Sequence, residues 1–220
     1  MNKSEQANVK NPQDSNFKNP KQTGANTLLL SVILSSPGPL VVGIGVFMGR
    51  SSTQLADFVR RSAELCAILV SYFIYRILHK EGTEPEINRK IKLEQTANLF
   101  VGTSMCLSGI AMFFIAILSD NSEKGNVIPG LVIAFLGLVT NSLFWLRYTK
   151  LYKQNGDAIL KAQSHLYRAK SFVDAAVFIA LMVVFLAPLS PAAYWVDIIG
   201  AVIVSIYLLT NGANILRNFL

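Results

Sequence analysis

The chain has 220 residues, of which 52% are hydrophobic and only 15% are charged. A soluble domain carries closer to about a quarter charged residues, so this composition argues against a soluble domain and is typical of a protein that spans a membrane. The formal net charge of +7 would suggest a nucleic-acid ligand in a soluble protein, but the positions of the basic residues along this chain indicate another origin.

The chain begins with a polar segment, residues 1–25, which is rich in Asn, Gln, Lys and Pro and has almost no large apolar side chains. Such a composition cannot bury a hydrophobic core, so we predict a disordered tail. No short apolar core follows a charged start at the distance typical of a signal peptide, and we therefore expect no cleavage.

Six apolar segments follow within residues 26–220, which we interpret as one transmembrane domain. Each is close to the ~20 residues that an α-helix needs to cross the hydrocarbon core of a bilayer. They cover about residues 27–49, 53–78, 96–118, 127–149, 162–187 and 192–216. The first is interrupted by SSPGP at 35–39, and Pro188 and Pro191 mark a tight turn before the sixth. The sequence therefore predicts an all-α integral membrane protein with six transmembrane helices.

The basic residues lie almost entirely on one side of this predicted arrangement. They occur in the tail, between the second and third spans, around the connection between the fourth and fifth spans, and at Arg217. The other side has only Arg50 and Lys124. Because Lys and Arg are concentrated in cytoplasmic loops, we predict that both termini are cytoplasmic. The net charge is then a topology signal, so the expected partner is the lipid bilayer and no nucleic-acid ligand is needed.

Two of the predicted spans carry charges at matched helical spacing. Arg60 and Glu64 are four residues apart in the second span, and Lys170 and Asp174 are four apart in the fifth. Each charge inside a bilayer costs roughly 2.5–3.5 kcal/mol on insertion scales, so such residues normally mark a functional site. The alternative is that the pairs are ion pairs that only make the charges tolerable. Both interpretations remain open from the spacing alone.

Other polar residues in or near the spans are secondary candidates. Asp57 and Arg61 form a second pair at the same spacing, nearer the outer end of the second span. His165 precedes Lys170 by five residues and could shuttle protons near neutral pH, although an interfacial histidine without a special role is the simpler interpretation. The two cysteines have no metal-binding or disulfide spacing, so we expect neither a zinc finger nor a disulfide.

Four segments resemble a known family of membrane transporters. They read SSTQLADFVRRSAELCAIL in the second span, TNSLFWLRYTKLYKQNGDAILKAQSHL from the fourth span onward, LKAQSHLYRAKSFVDAAVFIAL in the fifth, and AAYWVDIIGAVIVSIYLLTNGANIL in the sixth. Their order and spacing resemble the cation diffusion facilitators over residues 27–217. Asp197, Gly200 and Ala201 match the Asp-x-x-Gly-Ala start of that family's sixth span.

The resemblance implies a homodimer, with a heteromer as the alternative, that exchanges a divalent cation for protons. We do not expect an enzyme, because the sequence has no nucleophile–base constellation or metal triad. Few residues follow the sixth span, so the membrane part is expected to hold any dimer. In the family, one His/Asp-x-x-x-Asp turn on each of spans two and five binds the ion. These positions fall on Arg60 and Glu64 and on Lys170 and Asp174.

Two of the four matched positions depart from the family pattern. Zinc requires imidazole, thiolate or carboxylate lone pairs, whereas arginine has only donors and stays protonated. The four side chains carry a summed charge of zero without any ion. We therefore expect no resident cofactor and no ordinary zinc site, with a divalent cation at most as transported substrate. Two functions stay open: a secondary cation transporter with a modified site, and a non-transporting structural or regulatory member whose ion site is a permanent cluster of ion pairs.

Overall fold

The computed structural model describes residues 20–49, 52–80, 86–118, 128–186 and 191–219. Within these ranges the only regular secondary structure is α-helical. The helices are α1 (Pro20–Ser35), α2 (Pro37–Gly49), α3 (Ser52–Leu78), α4 (Ile87–Leu118), α5 (Ile128–Asn155), α6 (Ala158–Leu186) and α7 (Pro191–Phe219). The first predicted span corresponds to α1 and α2 together, and each of the other five corresponds to one helix.

The first span is interrupted where the sequence predicts it. Ser36 separates α1 from α2, and its amide donates to the Val32 carbonyl at 3.0 Å. Pro37 then begins α2, because proline lacks the amide hydrogen that a first helical residue would leave unpaired. Gly43 of α2 lies against the Phe58 ring of α3. A Cβ added to Gly43 would lie 3.0 Å from the nearest atom of that ring.

The predicted boundary of the disordered tail is wrong at its C-terminal end. Residues 20–25 already belong to α1, which begins at Pro20, a favoured first helical residue. Gly24 packs directly against the Tyr75 side chain of α3. This contact stabilises the first turns of α1, whose polar composition suggests a disordered tail. The remainder of the predicted tail lies outside the described residues.

Several helices extend beyond the apolar segments. The third predicted span starts at about residue 96, whereas α4 begins at Ile87 and contains an ion pair of 3.9 Å between Lys90 and Glu94 at i, i+4 spacing. The fourth span was expected to end at about residue 149, but α5 continues to Asn155. Hydropathy marks only the part of a helix that crosses the hydrocarbon, and polar turns continue on either side.

Four stretches of the described chain are long and apolar enough to cross a membrane: Gln22–Val41, Ile87–Phe114, Leu131–Asn155 and Ile198–Asn218. The charged helices α3 and α6 fall outside this set. Together with the helical fold, the four stretches confirm the predicted all-α membrane protein. The orientation of the termini stays a prediction.

Four of the helices pack as two antiparallel pairs. α4 packs against α7, and α5 is joined to α6 by a short connection in which Gly156 adopts a φ of 65°. This left-handed conformation favours glycine and ends α5, where the Gly156 amide donates to the Tyr152 carbonyl at 2.8 Å. α3 packs against α4 and against α1 and α2, and it also touches α6. The charged faces of α3 and α6 therefore come together inside the bundle.

Candidate functional site

A cavity of about 460 Å³ lies among α1, α2, α3, α5 and α6. All four predicted site residues line it: Arg60 and Glu64 from α3, and Lys170 and Asp174 from α6. The i, i+4 spacing places each pair on one face of its helix, and the packing of the helices turns both faces toward the same space. The sequence predicted these pairs separately, and the fold brings them together.

Glu64 is the centre of the ion-pair network. One carboxylate oxygen, Oε1, lies 3.7 Å from Arg60 Nη1, and the other, Oε2, lies 3.4 Å from Lys170 Nζ. Ser108 of α4 also donates its hydroxyl to Oε1 at 3.2 Å. Arg60 and Glu64 are only 7% and 5% exposed. A carboxylate removed from water to this extent requires such donors, because an unpaired buried charge is very costly.

Asp174 occupies a different environment within the same cavity. Its Oδ2 atom accepts a hydrogen bond of 2.5 Å from Asn141 Nδ2 of α5. One turn earlier on α5, Gly137 leaves room for the carboxylate, since an added Cβ there would lie 3.0 Å from Asp174 Oδ2. Gly137 and Asn141 thus form the wall that faces Asp174.

Lys170 lies above a layer of aromatic side chains. Its Nζ atom is 5.0 Å from the centre of the Tyr167 ring, and the Tyr167 hydroxyl lies 3.3 Å from the Ser35 hydroxyl of α1. The Tyr167 ring packs against Phe144 and Tyr148 with centroid distances of 5.0 and 5.3 Å. Both tyrosines are fully buried. Along α5 and α6, these tyrosines lie between the cavity residues and the connection that joins the two helices.

The secondary candidates divide between the cavity and its surroundings. Arg61 lines the cavity, near Gly38 of α2. His165 is not among the lining residues, and its Nδ1 atom lies 3.4 Å from Arg168 Nη2 on the same helix. The side chain of Asp57 lies outside the described part of the chain.

Sequence reasoning missed several contributors to this site. Ser108, Gly137 and Asn141 are not among the candidate residues that the sequence indicates. The one available signal was the i, i+4 spacing of Gly137 and Asn141 on α5. Ser108 offers none, since its role depends on how α4 packs against α3.

The cavity can bind a solute through charges of both signs. Among the described lining residues, the cationic groups belong to Arg60, Arg61 and Lys170, and the carboxylates belong to Glu64 and Asp174. Within the described part of the chain, no group of three or more His, Cys, Asp or Glu side chains is arranged to hold a metal ion. Any cation that approaches Glu64 must therefore compete with Arg60 and Lys170 for its carboxylate.

Comparison with known proteins identifies a family and a relative. The sequence model of the family described as "Cation efflux transmembrane domain" matches residues 28–220. The chain is also 23% identical, over 199 residues, to a Bacillus subtilis (strain 168) protein named "Cadmium, cobalt and zinc/H(+)-K(+) antiporter". That alignment covers 89% of this chain and 62% of the relative, so the chain spans less than two thirds of the relative's length.

Proposed function

The chain belongs to the cation efflux family, and on that premise we propose that it is a secondary transporter that exchanges a divalent cation for protons in the cavity between α3 and α6. The observation that carries this proposal is that each of these helices contributes a carboxylate, Glu64 of α3 and Asp174 of α6, to one space of about 460 Å³. Charged residues of a membrane protein that face a polar cavity typically mark the path of an ion, and a cavity of this size has room for one.

Glu64 and Asp174 are the groups that would alternate between a cation and a proton. The two carboxylates attract a divalent cation. When they are protonated they lose their negative charge, and the cation is released. The Bacillus subtilis relative carries the name of an antiporter for cadmium, cobalt and zinc, which supports ions of this class as the first substrates to test.

Arg60 and Lys170 would act as internal counter-ions in this mechanism. Both contact Glu64 in the present arrangement, at 3.7 and 3.4 Å. A cation must displace at least one of them from the carboxylate, and the displaced group must remain within the polar cavity. Asp174 contacts Asn141 instead, so we propose that Asp174 receives the cation first.

The same contacts favour a second function. Glu64 is held by cations from two helices, and such a cluster can fix the register of α3 against α6 permanently. In that case the protein is a non-transporting structural or regulatory member of the family. The two functions differ in whether the carboxylates exchange their partners.

The test is proton-coupled uptake of zinc, cadmium and cobalt into proteoliposomes. The wild type is compared with Asp174→Asn, which keeps the shape of the side chain and removes its charge, and with the double variant Arg60→Asp/Lys170→His. Glu86→Gln serves as control, because Glu86 is an exposed carboxylate outside the cavity. We expect uptake by the wild type and by Glu86→Gln, and at least a tenfold loss in Asp174→Asn.

A silent wild type together with zinc uptake by the double variant would contradict the transport proposal. It would establish the second function instead, since restoring metal-binding side chains would then be sufficient to restore transport. Uptake by Asp174→Asn at the wild-type rate would exclude Asp174 as the exchanging carboxylate.

A further inference from the structure

A second charged cluster joins α3 and α6 far from the cavity. His79, directly after α3, places its Nε2 atom 3.5 Å from Oδ2 of Asp157, the residue that precedes α6. The other carboxylate oxygen of Asp157 caps α6, accepting from the amides of Ile159 and Leu160 at 2.9 and 3.1 Å. The two side chains are 18% and 6% exposed. This contact therefore connects the end of one site helix to the beginning of the other.

The two ring nitrogens of His79 both face acceptors. Nδ1 lies 3.0 Å from the carbonyl oxygen of Tyr75, and Nε2 faces the Asp157 carboxylate. A neutral imidazole has one donor and one lone pair, so either tautomer would direct a lone pair at an oxygen. Only the imidazolium donates to both. In this geometry an imidazolium satisfies both acceptors, whereas each neutral tautomer satisfies one.

The helix termini and the neighbouring charges also favour a positive charge on His79 and a negative charge on Asp157. A cation at the end of α3 and an anion at the start of α6 each complement the dipole of their helix. The His79 ring stacks on Tyr75 with a centroid distance of 4.1 Å. From α4, Glu94 interacts electrostatically with both His79 and Asp157, and it is paired with Lys90 at 3.9 Å. Lys80, the next residue after His79, is exposed.

We propose that His79 and Asp157 form a proton-binding site that holds the C-terminal end of α3 against the N-terminal end of α6 more tightly while the imidazole is protonated. When the proton leaves, the ring keeps a single N–H and donates to only one of its two acceptors, and its charge attraction to Asp157 is lost. The ligand is a proton from the solvent at that end of the bundle. This inference goes beyond the proposed transport function and does not depend on it.

The experiment is hydrogen–deuterium exchange of the full chain in lipid nanodiscs, with labelling times corrected for the intrinsic rate. Exchange of the amides of residues 157–162 is compared at about pH 5.5 and about pH 8, on either side of the range in which histidines titrate. For the wild type we expect corrected exchange to be about tenfold slower at the lower pH, as the charged contact reinforces the first turn of α6.

Three variants make the test specific. His79→Gln should remove the difference between the two pH values. Asp157→Asn should also remove it but keep the wild-type exchange rate at the higher pH, because asparagine caps a helix as well as aspartate does. His165→Gln is the matched control, since the chain has only two histidines, and it should retain the full difference.

A pH difference that persists in His79→Gln, or one that disappears in His165→Gln, would overturn the proposal. Persistence in Asp157→Asn would likewise overturn it, by showing that another anion is the partner of His79. The readout is the protection of a helix terminus, so the result stands whether or not the protein transports an ion.

Discussion

Glu64 shows how a single residue can make a charged membrane helix tolerable. Its carboxylate forms ion pairs with Arg60 of its own helix and Lys170 of α6, and it accepts a hydrogen bond from the Ser108 hydroxyl of α4. Each donor offsets part of the free energy lost when the carboxylate leaves water. Both cations are themselves poorly exposed. Removing this one carboxylate therefore takes an ion-pair partner from each of them.

Glu64→Gln should lower the free energy of unfolding by about 3–5 kcal/mol, the usual cost of breaking a buried ion pair from one side. Lys90→Gln is the comparison, because Lys90 and Glu94 have the same i, i+4 spacing but the Lys90 side chain is 54% exposed. That change should cost less than about 1 kcal/mol. Reversible unfolding in mixed micelles measures both. Equal losses would contradict the central role of Glu64.

At the scale of elements, close packing of α4 against α7 depends on small residues. Gly102 and Gly109 of α4 face Gly212 and Ser205 of α7, and the Ser205 hydroxyl donates to the Gly109 carbonyl at 2.8 Å. Lipid is as apolar as the helix surface, so association in a bilayer relies on contacts of this kind. α3 packs against α4 of this pair and contributes charged residues to the cavity.

Gly212→Ala should destabilise the protein by about 1–3 kcal/mol, the cost typical of an overpacked interface. An added Cβ at Gly212 would lie 2.9 Å from the Gly102 carbonyl oxygen and 2.7 Å from Cys106 Sγ, so the helices must move apart. Gly200→Ala on the same helix is the matched control, because no heavy atom lies within 4 Å of its added Cβ. Thermal unfolding in detergent should show the control to be neutral or more stable, since alanine favours helix. A control that loses as much stability as Gly212→Ala would refute the packing argument.

For the whole molecule, contacts between distant residues identify one common end of the bundle. Gly24 touches Tyr75, and His79 touches Asp157, so the start of α1, the end of α3 and the α5–α6 connection lie together. The antiparallel packing of α4 on α7 adds the start of α4 and the end of α7. Basic residues such as Lys153 and Lys161 cluster at this end. The positive-inside rule then predicts that it faces the cytoplasm.

Cysteine labelling from each side of the membrane tests this orientation. In a background with Cys66 and Cys106 replaced by serine, Lys153→Cys should react with an impermeant reagent only in inverted vesicles. Ile128→Cys, at the opposite end of α5, should react only in right-side-out vesicles. Both positions are exposed. The reverse pattern of labelling would show that both termini lie outside the cytoplasm.

The sequence by itself determined the features that depend on local spacing. The number of apolar segments, the break at Ser36 and the two charge pairs at i, i+4 follow from composition and helical periodicity, which act over a few residues. The helical state of residues 20–25 did not follow, because Tyr75 packs against those turns from another helix.

Only the tertiary structure decided which helices share a site. Asn141 with Asp174, Ser108 with Glu64, and His79 with Asp157 are pairs separated by more than thirty residues in the chain. No local pattern predicts such contacts, because they depend on how whole helices pack. The sequence could therefore name the charged residues of α3 and α6, whereas the packing of α1, α4 and α5 around them determined which side chains complete the cavity.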